Sequence, residues 1–409
     1  MAEIRPFLSG RPPKALAARV ASVPYDVVDT HEARELAAGN DVSFLHVCRP
    51  EIDLPPETHL YAPEVYAKGR ENLDRFFAEG VLVEDAAPRF LVYRQVFAGR
   101  NQDGLVAGCS VDDYDSDVIK KHEKTRADKE NDRVRHLVTQ SAHAEPVFLT
   151  YRSVDKIDER IGHITAGVPE YDFTAPDGVR HVLWLIPSAE EEFFVSAFRS
   201  IDKLYVADGH HRSASASRAR TALLEKAGTL SPEHPVNWFP ATIFPDNQLQ
   251  IMAYNRLVKD LHGLTPEGFL QAVSAEFHVV PGAGDVPRAK GQVQMYLGGT
   301  WYGLEPKAPV DAADPIRSLD VSVLQDRLLA PVLGIGDPRT DKRIDFSGGI
   351  RGTGELKRKV DAGLAAVAFS MFPTTVAELM AIADAGETMP PKSTWFEPKL
   401  RSGLFVHRF

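Results

Sequence analysis

Asp208-Gly209-His210-His211-Arg212 gathers a carboxylate, two imidazoles and a guanidinium around a single glycine. Residues 201–207, rich in Ile, Leu, Tyr and Val, read as a short strand leading in. From Ser213 onward the chain reads as a helix, with strong helix formers in its second half. Gly209 lets the backbone turn tightly between them, so that the first helical N–H groups can face a ligand. A helix N-terminus favours anions, and with His210, His211 and Arg212 beside it a phosphate is the natural guest. Asp208 adds a carboxylate able to hold a metal ion or a substrate amine. The plainer alternative, Asp208 as a helix cap with the histidines in solvent, explains one residue and leaves three adjacent donors without a role.

Four further clusters carry groups that could do chemistry. Thr30-His31-Glu32-Ala33-Arg34-Glu35 sets Glu32 and Glu35 one helical turn apart. A first-turn glutamate can act as general base if a substrate hydroxyl comes within hydrogen-bond reach, or can simply compensate the helix dipole. Residues 120–135 form the densest charge block, in which His122, Thr125, Lys129 and Arg133 fall roughly on one helical stripe. That stripe is a cradle for a polyphosphate, or else one face of a solvated charged helix. Residues 345–357 read as a strand end, a Gly-rich loop and a helix start, and such loops expose N–H groups to phosphates. The loop lacks the Gly-Lys-Ser/Thr ending of a P-loop. Lys392, Ser393 and Thr394 follow the rigid Pro390-Pro391 pair and suit a carboxylate or phosphate; alternatively the segment docks Trp395 and Phe396 on the core.

The elements that would position these groups alternate between helix and strand. Helices are expected at 30–38, 61–79, 115–141, 257–261, 266–276, 321–329, 354–362 and 376–385. Strands are expected at 20–23, 42–47, 90–97, 105–111, 146–151, 172–174, 181–186 and 238–244, with a turn region at 99–104. The class is mixed α/β (α+β), without the long βαβ series of a Rossmann sheet.

Composition narrows the function classes. The 409 residues suit two or three domains, and 44% hydrophobic with 25% charged content is ordinary for a globular chain. A net charge of −10 and no long basic run argue against nucleic acid or an anionic membrane as partner. Cys48 and Cys109 stand far apart, which excludes a disulfide framework or a Cys-x-x-Cys metal site and leaves core thiols. The first residues lack the apolar stretch of a secretion signal, and no apolar run is long enough to cross a bilayer, so a cytoplasmic location is expected. Nothing in the sequence bears on oligomeric state.

Three clusters in this order resemble the free serine kinases of the ParB/sulfiredoxin-like superfamily. They are His31-Glu32, Val206-Ala207-Asp208-Gly209-His210-His211-Arg212, and Pro391-Lys392-Ser393-Thr394. Almost the whole chain also resembles a longer branch of that superfamily, catalogued as a domain of unknown function. Its pattern is visible as Pro24-Tyr25-Asp26-Val27-Val28, as Ser43-Phe44-Leu45-His46-Val47 with Arg49-Pro50-Glu51, and as His122-Glu123-x-Thr125. The resemblance implies a small-molecule kinase using ATP or ADP with Mg²⁺, acting on the hydroxyl of free L-serine or a similar metabolite. It implies Glu32 as general base and Asp208 to Arg212 at the phosphates. Asp208 would hold the metal, His211 would act at the transferring group, and Lys392, Ser393 and Thr394 would take the substrate end. It further implies a ParB-like core from residues 1–50 and 190–250, an inserted lobe at 51–189, and a C-terminal α/β domain at 251–409. Two rivals remain open: a ParB-type nucleotide switch, poorly served by a charge of −10, and a metal-dependent hydrolase with Asp208, His210 and His211 as ligands. In the second, helical neighbours would have to converge although they point about 100° apart.

Overall fold

The apolar runs expected as strands between residues 90 and 244 all enter one mixed sheet. The computed structural model describes residues 1–409, divided into one unit of Met1–Leu249 with Pro398–Phe409 and a second of Gln250–Glu397. In the first unit the strands are β1 (Ile4–Arg5), β2 (Leu91–Phe97), β3 (Arg100–Ser110), β4 (Ile119–Lys120), β5 (Val147–Tyr151), β6 (Tyr171–Thr174), β7 (Arg180–Leu185), β8 (Leu204–Asp208) and β9 (Trp238–Pro245). Their order is β4-β8-β5-β9-β3-β2-β7-β6, with β1 beside β3. β4 runs parallel to β8, and β5 parallel to β9, within otherwise antiparallel pairing.

The helices of this unit are α1 (Thr30–Ala37), α2 (Pro63–Ala78), α3 (Ala127–Gln140), α4 (Asp155–Thr165), α5 (Ser188–Arg199) and α6 (His210–Ala227). Alternate strand residues such as Leu105, Ala107, Cys109 and Leu204, Val206 point to one face, as the strand period of two requires. There they pack with Ile157 and Ile161 of α4 and with Phe194 and Phe198 of α5. A second core joins Ala33 and Ala37 of α1 to Leu73 and Phe76 of α2 and to Phe44, Leu45 and Val47.

Several expectations give way to tertiary pairing. The charged helix expected at 115–141 is instead a short helix at Val111–Asp115, strand β4, and α3. Helix propensity in that run is overridden where Ile119 and Lys120 pair with Leu204 and Tyr205. The strand expected at 42–47 is a helical turn, Leu45–Cys48, buried against α2. Residues 20–23 contribute a single bridge, Ser22 to Ser402, after a short helix at Ala17–Val20. The turn expected at 99–104 shrinks to Ala98 and Gly99, both at positive φ (49° and 75°), the two-residue hairpin geometry. Gly104 is a strand residue, needed because a Cβ there would lie 2.5 Å from Thr242 Cγ2.

The segment expected as an inserted lobe supplies β2 to β7, and the segment expected as core supplies β8 and β9, so both build the same sheet. The chain end also departs from the expected C-terminal domain: Val406 bridges Gly10, and His407–Arg408 pairs with Ala142–His143. Backbone hydrogen bonds of high sequence separation thus draw Pro398–Phe409 into the first unit.

In the second unit, β10 (Tyr254–Val258), β11 (Phe277–Pro281), β12 (Val293–Leu297), β13 (Thr300–Pro306), β14 (Ile344–Gly348) and β15 (Val367–Met371) form an antiparallel sheet in the order β11-β13-β12-β15-β10-β14. The helix expected at 257–261 is the end of β10, held between β14 and β15. Helices α7 (Pro266–Glu276), α8 (Gly352–Asp361) and α9 (Val376–Asp384) lie where periodicity places them, and Leu356 of α8 packs on Leu257, Tyr296 and Ala368. Both cysteines are buried and unpaired. No helix is long and apolar enough to cross a membrane.

Candidate functional site

β8 ends at Asp208, Gly209 turns the chain, and α6 begins at His210, three residues earlier than the helix read from sequence. Gly209 has φ +93°, a left-handed value that an L side chain resists. A register shift between Val206 and Asp208 lets the strand end twist away from β5. No side chain caps the start of α6, so the helix-start dipole stands without a capping partner there.

Asp208 lies between two cations. One carboxylate oxygen is 3.2 Å from Lys399 Nζ and the other accepts from Arg212 Nη2 at 3.0 Å. Burial acts to raise the Asp208 pKa, but Lys399 and Arg212 outweigh it and hold the carboxyl down at about 2. Arg212 also donates to the Pro146 carbonyl and reaches Asp26 at 3.5 Å. Its guanidinium folds back over the turn, where a Cβ on Gly209 would meet its Cζ and Nε at 3.2 Å. The fork expected to grip a phosphate is therefore turned inward, with only Nε lacking a partner. Burial works against the Arg212 charge, while Asp26, Asp208 and Glu145 reverse that and raise its pKa.

The network continues inward. Glu145 accepts from the Tyr25 backbone N–H at 3.1 Å and lies 3.6 Å from Arg133, whose guanidinium pairs with Asp132 at 2.7 Å and stacks 3.9 Å over the Tyr25 ring. A cavity of about 30 Å³, with Arg133, His136, Gln140, Glu145 and Arg212 in its wall, has room for a single water.

The two histidines diverge. His210 is buried with its ring perpendicular to that of His122, centroids 4.4 Å apart, and its Nδ1 lies 4.0 Å from Glu123 Oε2. Burial depresses the pKa of His210 to about 4 and that of His122 well below the usual imidazole value. His211 turns to the other side, where its Nε2 accepts from Arg126 N–H at 3.1 Å. An Asp208–His210–His211 ligand set does not form, because Asp208 is engaged by cations and the imidazoles face different partners.

The expected phosphate stripe is broken, because His122 and Thr125 precede α3 rather than lie on it. Thr125 donates to Glu130, Lys129 stands 6.0 Å over the Tyr61 ring, and Arg133 is buried in ion pairs. Glu32 is exposed at the third position of α1 and accepts from Asp29 N–H at 2.9 Å, while Asp29 Oδ1 accepts from Glu32 N–H, a complete capping box. Beside it Thr30 donates to Glu51 and accepts from Arg49, a site-like network that the Arg49-Pro50-Glu51 pattern foreshadows. Lys392, Ser393 and Thr394 belong to the second unit. Lys392 has φ +58°, and the Ser393 hydroxyl donates to the Pro390 carbonyl at 2.7 Å. In the Gly-rich loop, Cβ atoms on Gly348 and Gly349 would strike Trp395 and the Ala253 backbone at 2.9 and 2.8 Å, so those glycines serve close packing.

Sequence reasoning missed Asp26, Glu145, Lys399 and Glu123. Asp26 and Glu123 sit inside the quoted patterns and could have been singled out; Glu145 and Lys399 carry no local signal. The donor set also bears on magnesium. Mg²⁺ requires carboxylate or other oxygen ligands with open lone pairs, whereas both Asp208 oxygens face cations. Asp208 as arranged does not fit a magnesium ligand.

A family model described as "Protein of unknown function (DUF1015)" matches residues 4–322. No curated protein matches the chain. Among solved structures, a free serine kinase in complex with AMP is 12% identical, with 72% of this chain and 86% of that one covered and a TM-score of 0.35. A conserved hypothetical protein from Pyrococcus furiosus is 15% identical over 73% and 93% of the two chains, with a TM-score of 0.34. SbnI with C-terminal truncation from Staphylococcus aureus is 13% identical over 73% and 85%, with a TM-score of 0.38.

Proposed function

The chain belongs to the DUF1015 family, and from that premise we propose that it is a phosphotransferase of the ParB/sulfiredoxin-like type, moving a phosphoryl group from ATP or ADP to the hydroxyl of free L-serine or a close relative. The observation that carries this reading is the strand–glycine–helix turn at 208–210, with Gly209 left-handed and the start of α6 uncapped by any side chain. Helix-start N–H groups of this kind suit a nucleotide's terminal phosphate. Phosphoryl transfer asks mainly for positioning and charge stabilisation. In this reading Asp208 is a positioning residue, orienting Lys399 and Arg212 so that cationic charge lies at the turn. His211 accepts a hydrogen bond at Nε2, so its neutral ring carries the proton on Nδ1, a donor for a phosphate oxygen. Glu32 takes the proton of the acceptor hydroxyl. Its capping-box bond occupies Oε2, and Oε1 is the oxygen this role would use. Lys392, Ser393 and Thr394 enter as substrate residues through the resemblance alone.

Phosphorus NMR of the purified protein with magnesium salts of ATP or ADP and a panel of hydroxy amino acids tests the proposal. A new phosphomonoester resonance, growing as the nucleotide's terminal phosphate is lost, is the expected result. An unchanged nucleotide, or release of inorganic phosphate alone, overturns it.

A further inference from the structure

We propose that His122, His210 and Glu123 form a binding site for a divalent transition-metal ion of the zinc class. The site goes beyond the phosphotransferase reading and does not rest on it. Each residue offers one ligand atom, and these atoms all lie within 4.8 Å of one another. In a tetrahedral site with ligands at about 2.1 Å, donor atoms stand roughly 3.4 Å apart, so small side-chain rotations close the set.

The second observation is the state of the imidazoles. His122 is 2% exposed and His210 6% exposed. Both ring nitrogens of His122, and Nε2 of His210, are buried without a partner in hydrogen-bonding geometry. A buried polar group left unpaired is costly, and a metal ion at this point would take up one nitrogen of each ring.

The scaffold is rigid on the two imidazole sides. β4 and β8 run side by side in parallel, and His122 and His210 each follow two residues after the strand end. Glu123 stands on the solvent side with about half of its side chain exposed, giving the ion a way in. Two imidazoles and one carboxylate favour a zinc-class ion over Mg²⁺, which takes oxygen ligands. Three protein ligands also leave a fourth position for water or a substrate oxygen, the arrangement of catalytic rather than structural zinc.

Metal-stripped full-length protein titrated with Co²⁺ provides the test, because the visible absorption of bound cobalt reports its coordination without any turnover. One equivalent should bind with the absorption of a four- or five-coordinate nitrogen–oxygen site. Zn²⁺ should displace it, and a large excess of Mg²⁺ should not. Glu123→Gln should weaken binding at least about tenfold, since removing even an outer-shell partner commonly costs ten- to a hundredfold. His122→Asn should abolish the band. Circular dichroism of the metal-free proteins checks folding, and Glu123→Gln, at an exposed side chain, keeps the test decisive if the buried variant unfolds. No stoichiometric band in the wild type, displacement by Mg²⁺, or binding undiminished by Glu123→Gln overturns the site.

Discussion

Gly209→Ala probes the turn on which the functional reading rests. At φ +93° and ψ +31° an alanine carries a steric penalty of about 1–2 kcal/mol. Its Cβ would lie 3.2 Å from Arg212 Cζ and Nε, inside the ordinary carbon contact distance. Arg212 yields little, because Asp208, Asp26 and the Pro146 carbonyl hold it. Against these costs, alanine narrows the unfolded ensemble and returns about 0.4–1 kcal/mol. The net expectation is destabilisation by about 1–2 kcal/mol. Gly162 provides the control. It lies inside α4, and a Cβ there would meet nothing within 4 Å, so Gly162→Ala should stabilise by about 0.5–1 kcal/mol. Urea unfolding at pH 7, followed by circular dichroism, measures both. If Gly209→Ala is as stable as wild type while Gly162→Ala gains stability, the left-handed turn and the packed Arg212 are both refuted.

Three other expectations can be checked in the same way. Glu32→Gln keeps the capping-box hydrogen bond, so it should leave stability within about 0.5 kcal/mol yet lower turnover roughly 10²–10⁴-fold in the phosphorus NMR assay; near-normal turnover removes Glu32 from the mechanism. Arg133→Ala removes the guanidinium that pairs with buried Asp132 and faces Glu145 and should cost about 3–5 kcal/mol, whereas Lys129→Ala should cost less than about 0.5 kcal/mol; similar urea midpoints for the two would contradict the ion-pair network. His181 is fully buried, donating from Nδ1 to Tyr93 Oη and accepting at Nε2 from Arg401, and burial together with Arg401 lowers its pKa from 6.5 to about 3. The unfolded imidazole takes a proton below pH 6.5 and the folded one only near pH 3, so stability falls as pH drops through that window. Between pH 6.5 and 5 this residue alone should account for about 1.7 kcal/mol, and His181→Gln should remove that much of the pH dependence of the unfolding free energy measured with urea.

The strands of the main sheet other than β1 and β4, and the Asp208–Gly209 turn, were legible because their signals are local. Leu, Val and Tyr mark β8 and β5, and only a glycine suits the φ at 209. The capping box leaves a local pattern too, Asp29 and Glu32 standing three apart, although Glu32 reads in the sequence only as a base or as compensation of the helix dipole. Non-local partners were not legible. Lys399 reaches Asp208 across 191 positions, and Arg212 reaches Asp26 across 186. The sequence announces the charge of Arg212 but not its direction, which the Pro146 carbonyl and two carboxylates decide. In the same way, the run holding His122 has the composition of a helix, and only its pairing with β8 turns it into a strand and sets His122 against His210.

The most direct test of the central claim is a crystal structure of the protein with bound ADP or ATP. A terminal phosphate is expected within about 3 Å of the backbone N–H groups that open α6, beside Gly209 and the Lys399–Asp208–Arg212 cluster. A nucleotide whose phosphates lie beyond hydrogen-bond distance of that turn would contradict it.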